Sequence, residues 1–120
     1  SVTLRDVSFV DAATGWIAGS SGTILKTTDG GANWVAQTSG TSESLYAVTF
    51  VDSSNGWAAV RSGTILKTSD GGATWTAQIS GTNRHLRGIA FGSASTGVAV
   101  GEYETILGTG DGGTTWALQR

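Results

Sequence analysis

No cysteine occurs in the chain, which removes disulfides and thiolate metal ligands from consideration. With a single histidine, His85, a multi-histidine metal centre within one chain is excluded, and nothing in the sequence implies a cofactor. Charged residues make up only 13%, with a formal charge of −2. Such a balance does not displace the counterions of a phosphate backbone, so nucleic acid is not an expected partner. No apolar stretch is long enough to cross a bilayer, and membrane insertion is not expected. The chain starts at Ser1 without a methionine or a signal peptide, which reads as an excised or processed segment.

Small polar residues fill the space that charge leaves. Serine and threonine supply 32 of the 120 residues and glycine another 19. That composition suits strands and turns and disfavours helices. The length is one domain's worth of chain, enough for a core of its own.

The dominant feature is repetition. The octets TTDGGANW (27–34), TSDGGATW (68–75) and TGDGGTTW (109–116) are spaced 41 residues apart. Leu4, Leu45 and Leu86 keep that interval, as do Phe9, Phe50 and Phe91, and Gly15, Gly56 and Gly97. The units run 1–41, 42–82 and 83–120. In the middle unit, Leu45–Val51, Trp57–Val60, Thr64–Thr68 and Trp75–Ile79 are short apolar or β-branched runs. Clusters of Asp, Ser, Asn and Gly punctuate them. No window carries the three-to-four spacing of an amphipathic helix. Four strands in about 40 residues, repeated, predict four-stranded antiparallel meanders, the blades of a β-propeller. Ile24-Leu25 and Ile65-Leu66 put apolar side chains on both faces of one strand, as expected where neighbouring blades cover both faces.

The octet has the form Ser/Thr-x-Asp-x-Gly-x-x-Trp. Its residues are Thr27, Asp29, Gly31 and Trp34; Thr68, Asp70, Gly72 and Trp75; Thr109, Asp111, Gly113 and Trp116. A short carboxylate suits a turn whose N–H groups need acceptors, and a glycine pair allows positive φ. The tryptophan is expected to pack back over the turn or against the next blade. The motif resembles the Asp-box, or BNR repeat, which in that family lies between a blade's third and fourth strands. The longer phrase GWIAGSSGTILKTTDGGANW (15–34) resembles the repeat of the photosystem II assembly and stability factors. That resemblance implies a propeller of seven blades drawn from a longer chain, and a non-enzymatic role. It covers the residues that build sheets, and no motif marks arginines corresponding to that family's basic patch.

Three blades leave two blade faces uncovered, and a ring typically needs at least four. Head-to-tail association closes such an arc. The expected partner is therefore a second copy, with a six-bladed dimer favoured over a nine-bladed trimer. The first two units agree at 26 of 41 positions. In the third, Val98 replaces Trp16 and Trp57, Gly108 replaces Lys26 and Lys67, and Gly101-Glu-Tyr-Glu104 replaces a Gly-containing turn. Recent duplication, deliberate assembly from repeats and excision from a longer parent all fit.

Ligand-facing candidates are the equivalent positions Arg5, Tyr46 and Arg87, and the variable turns at 11–14, 52–55 and 93–96, together with the linkers 42–44 and 83–85. His85 reads as an exposed linker residue. The expected function is a scaffold or protein-interaction module that is not an enzyme and has no catalytic or metal residues. The alternative is a glycan-binding propeller. A sialidase-like hydrolase is the third reading, with Glu102-Tyr103-Glu104 as its only acidic neighbourhood, on adjacent strand positions.

Overall fold

The computed structural model describes residues 2–119 and is all-β. In the first unit the strands are β1 (Leu4–Phe9), β2 (Gly15–Gly19), β3 (Thr23–Thr27) and β4 (Val35–Thr38). The second unit supplies β5 (Leu45–Phe50), β6 (Gly56–Val60), β7 (Ile65–Thr68) and β8 (Thr76–Gln78). The third supplies β9 (Leu86–Phe91), β10 (Gly97–Gly101), β11 (Ile106–Thr109) and β12 (Ala117–Leu118). Strands pair in chain order as three separate antiparallel meanders, the arrangement of propeller blades. A single 3-10 turn, Arg61–Gly63, is the only helical element among the described residues.

The first strands β1, β5 and β9 lie side by side, and the sheets stack face against face in sequence. Each blade has a front face toward the preceding blade and a back face toward the following one. Period-two alternation decides which residue goes where. On β7, Ile65 turns to the third blade and Leu66 to the first, so this one strand serves two cores. The core is accordingly divided between two seams. Trp16, Ala18 and Ile24 of the first blade pack on Leu45, Val48, Phe50 and Leu66 of the second. Trp57, Ala59 and Ile65 of the second blade pack on Leu86, Ala99 and Leu107 of the third.

Glycine is required where β2, β6 and β10 begin. Phe9, Phe50 and Phe91 pair across the sheet with Gly15, Gly56 and Gly97. Each ring lies flat over its glycine, and a Cβ on Gly56 would sit 2.5 Å from Phe50 ring atoms. This fixed phenylalanine is the platform on which the neighbouring blade docks.

Two faces have no covering blade. On the front of the first blade Leu4, Val7 and Phe9 are 53%, 53% and 44% exposed, whereas their second-blade equivalents Leu45, Val48 and Phe50 are buried. On the back of the third blade Val98 and Val100 are exposed, against full burial for Trp57 and Ala59 at the same positions.

Candidate functional site

The three octets lie on the turns from β3 to β4, β7 to β8 and β11 to β12. In each, the first threonine is buried and its Oγ1 donates to the aspartate while accepting the N–H of the second glycine at 2.9 Å. Asp29 Oδ1 accepts the Asn33 N–H at 2.8 Å, and Asp70 and Asp111 accept those of Thr74 and Thr115 at 2.9 Å. The side chains of Asn33, Thr74 and Thr115 donate to the other carboxylate oxygen. All three donors favour the charged form. Each of the three carboxyls is therefore lowered to about 2, with the Asn33, Thr74 or Thr115 side chain as the main cause. Both glycines of every pair have positive φ.

Trp34, Trp75 and Trp116 are half-buried and meet the phenylalanine of their own blade edge-on, at 6.1, 5.8 and 5.8 Å between centroids. Trp34 also covers its own Gly31. Trp116 Nε1 reaches back to Gln78 Oε1 of the preceding blade at 3.4 Å. None of the three turns to the next blade.

The first glycine of each octet donates its N–H to the loop entering the second strand, at Ala13, Ser54 and Ser95. The variable turns at 11–14, 52–55 and 93–96 therefore sit beside the octets at one end of the blades. Their leading side chains are used locally. Asp11 and Asp52 each accept two backbone N–H groups of their own turn, which lowers both carboxyls, and Ser93 does the same through Oγ.

Arg5, Tyr46 and Arg87 lie at the opposite end, at the start of β1, β5 and β9. Because those strands are adjacent, the three side chains meet. Arg5 Cζ is 5.0 Å and Arg87 Cζ 4.7 Å from the centre of the Tyr46 ring, so the half-buried phenol is bracketed by two guanidiniums. His85 approaches the same ring at 6.4 Å. It is half-buried rather than exposed, and its Nδ1 accepts the Ser62 N–H at 2.9 Å. Arg87 pairs with Glu102 at 3.1 Å, and this contact is the main cause lowering the Glu102 carboxyl. Among the described residues Arg5 has no carboxylate within ion-pair distance. The variable turns and the Arg–Tyr–Arg cluster are thus separate surfaces.

Glu102, Tyr103 and Glu104 occupy the turn between β10 and β11 and are not strand neighbours. Tyr103 and Glu104 have φ of 57° and 60°, where the earlier units place Ser-Gly. Tyr103 is 77% exposed, and Arg84 Cζ lies 4.0 Å from its ring centre. Among the described residues no cluster of histidine, aspartate and glutamate has the grouping of a metal site.

Sequence reasoning missed the contacts that join the blades. Trp16 stacks on Phe50 with centroids 3.5 Å apart, and Trp57 stacks on Phe91 at 3.6 Å. Their indole N–H groups donate to the carbonyls of Gly71 and Gly112, the first glycines of the next octet, at 3.0 and 2.9 Å. Lys26 and Lys67 lie over the same indoles, and Gln37 and Gln78 donate to the same carbonyls. The signal was present: the third unit loses the tryptophan and the lysine together.

The family described as Photosynthesis system II assembly factor YCF48 matches residues 1–79. A solved structure described as YCF48 bound to D1 peptide superposes with a TM-score of 0.88 at 26% identity, over 98% of this chain and 40% of that one. YCF48 from Cyanidioschyzon merolae gives 0.82 at 24% identity, over 98% and 37%. The GH74 enzyme of Niastella koreensis gives 0.78 at 19% identity, over 98% and 22%, a likeness of fold alone. No curated protein sequence matches. The chain thus spans about two-fifths of the length of its YCF48 neighbours. Its blades, its octets and the match over residues 1–79 place it in the YCF48 family of BNR-repeat propellers.

Proposed function

We propose that the chain is a non-enzymatic propeller scaffold that closes into a ring with further copies of itself and holds a protein segment at the Arg5–Tyr46–Arg87 end. The observation that carries the ring is the pair of uncovered faces, Leu4, Val7 and Phe9 at one end and Val98 and Val100 at the other. Both are faces of a kind that the chain buries elsewhere, and head-to-tail association covers both at once. Two copies give six blades, within the usual range, and three give nine. The octets act as the staples of their turns, since their threonine hydroxyls and aspartate carboxylates are satisfied within the turn itself.

Binding at the Arg–Tyr–Arg end is supported by two guanidiniums flanking one phenol, with Arg5 free to accept a carboxylate. Closure of the ring would bring Arg87 beside Arg5 of the partner subunit and add a second cation pair. A relative of the same family is bound to a D1 peptide, which favours a peptide over other ligands of that charge. The test is titration of the purified protein with acidic peptides ending in a free carboxylate. Saturable binding that weakens with salt and is lost in R5A/R87A supports the reading; binding indifferent to both arginines contradicts it.

A glycan ligand is the second reading, favoured by the exposed ring of Tyr103 beside Arg84. A glycan array separates the two.

A further inference from the structure

The two internal seams are built alike, and together they show what a blade front requires. The socket is a phenylalanine platform followed by the glycine pair of the octet. The plug from the preceding blade has three parts. A tryptophan stacks on the phenylalanine and donates to the first glycine carbonyl, a lysine covers the indole, and a glutamine lies against the second glycine. Gly71 and Gly112 are buried under these plugs.

The first blade carries the same socket with nothing in it. Phe9 and Trp34 keep the edge-on geometry, Phe9 is 44% exposed, and Gly30 and Gly31 have the same positive φ as their counterparts. Gly30 is exposed. On the back of the third blade one of the three plug residues is retained, Gln119, at the position of Gln37 and Gln78. The other two are gone, because Val98 stands where the indole would be and Gly108 where the lysine would be. Gln119 folds over Gly108, its amide nitrogen 3.1 Å from where a Cβ would stand. The back of this blade keeps the glutamine that meets a glycine pair in the internal seams and has lost the ring that fills the socket.

We propose that each seam between copies contains a pocket for a flat aromatic molecule bearing an N–H donor, of the size and shape of an indole. This inference rests on the head-to-tail ring proposed above. The pocket is incomplete on either copy alone. One subunit supplies the Phe9 platform, the Trp34 edge and the Gly30 carbonyl; the other supplies Val98 and Gly108. The ligand stacks on Phe9 as Trp16 stacks on Phe50, and donates to the Gly30 carbonyl as Trp16 does to that of Gly71. Replacing a buried indole by valine at an otherwise conserved interface leaves a void that surrounding packing fills only in part. A void bounded by the Phe9 ring and Val98, with the Gly30 carbonyl at its edge, matches a flat aromatic molecule that carries one donor. The donor requirement separates this site from a merely greasy one, because an occupied socket carbonyl has an indole N–H partner in both internal seams.

The experiment combines mass and binding on the intact protein. Light scattering gives the mass of the wild type and of V98W/G108K, which restores the plug. Ligand-observed NMR then titrates each with indole and with N-methylindole. The expected result is a ring mass for both proteins and saturable indole binding to the wild type. N-methylindole should bind about five- to tenfold more weakly, the worth of one hydrogen bond. V98W/G108K should lose binding and melt at a higher temperature. V98F, which adds a ring without the lysine, serves the same purpose if the double variant does not fold. A ring mass without indole binding, or with binding that the filled variants retain, overturns the pocket and leaves the ring standing. A single-chain mass overturns the ring and the pocket with it.

Discussion

The indole of Trp16 lies parallel to the ring of Phe50 within 4°, their centres 3.5 Å apart, although 34 residues separate them and they belong to different blades. The same indole donates to Gly71 at 3.0 Å, so one side chain ties the sheet and the octet of the next blade to its own. Trp57 repeats the arrangement with Phe91 and Gly112. Both tryptophans are fully buried, each within the cluster that joins two blades.

Trp57→Ala should therefore cost about 3–5 kcal/mol, the usual range for emptying a buried aromatic site. Trp57→Phe keeps most of the apolar contact and loses the bond to Gly112, a loss of about 1–2 kcal/mol. Chemical denaturation measures both. Similar values for the two variants would mean that stacking, and not the bond, is unimportant at this seam.

Gly56 has a different vulnerability. A Cβ there would meet the Phe50 ring at 2.5 Å, so the platform must tilt and the Trp16 stack with it. Gly56→Ala should destabilise by about 1–3 kcal/mol. Gly92, whose added Cβ meets nothing within 4 Å, supplies the control. Equal melting temperatures for G56A and G92A would contradict the platform role.

The octet aspartates predict an acid response. Asp29, Asp70 and Asp111 are lowered to about 2 in the folded chain by the donors of their own turns. A depressed carboxyl contributes stability that is complete above its unfolded value, about 3.9. That contribution fades as pH falls toward the folded value. The melting temperature should thus be flat from pH 7 to about 5 and drop between about pH 4 and 2. The triple variant D29N/D70N/D111N should be less stable at pH 7 and show a shallower acid slope. An unchanged slope would assign the acid response to other carboxyls, such as Asp11, Asp52 and Glu102, which are also lowered.

At the opposite end of the blades, Arg5→Ala and Arg87→Ala should each weaken binding of an acidic peptide by about tenfold or more, since a charge-assisted bond contributes about 1.5–3 kcal/mol. Tyr46→Phe keeps the ring between the guanidiniums and should change affinity little. Calorimetric titration of the three variants orders these contributions. A large loss in Y46F with none in R87A would reverse the account.

Most of the architecture was legible because it depends on local chemistry repeated three times. The strand runs expected around Leu45, Trp57, Thr64 and Trp75 fall within one or two residues of β5 to β8, since turn-forming residues bound each run. The double-sided burial of Ile65 and Leu66 followed from adjacency on one strand. Contacts between units were less legible, because a 41-residue repeat carries no mark of which copy a side chain touches. The tryptophans of the octets drew attention, whereas Trp16 and Trp57, which cross the seams, stood out only through their loss at Val98. The meeting of Arg5, Tyr46 and Arg87 was visible as register equivalence, and their separation from the variable turns was not. That separation depends on which end of a meander each loop closes. His85 read as an exposed linker residue because nothing local announces its bond to Ser62.

Solution mass tests the central claim most directly. The proposed ring rests on the exposed Leu4, Val7 and Phe9 of the first blade and the exposed Val98 and Val100 of the third, which it would cover with another copy of the chain. Size-exclusion chromatography with light scattering at micromolar concentration should return about twice the 12.2 kDa chain mass for a six-bladed ring, or about three times for nine blades. A stable particle of single-chain mass would contradict the account, because both open faces would then remain in water with no second copy to cover them.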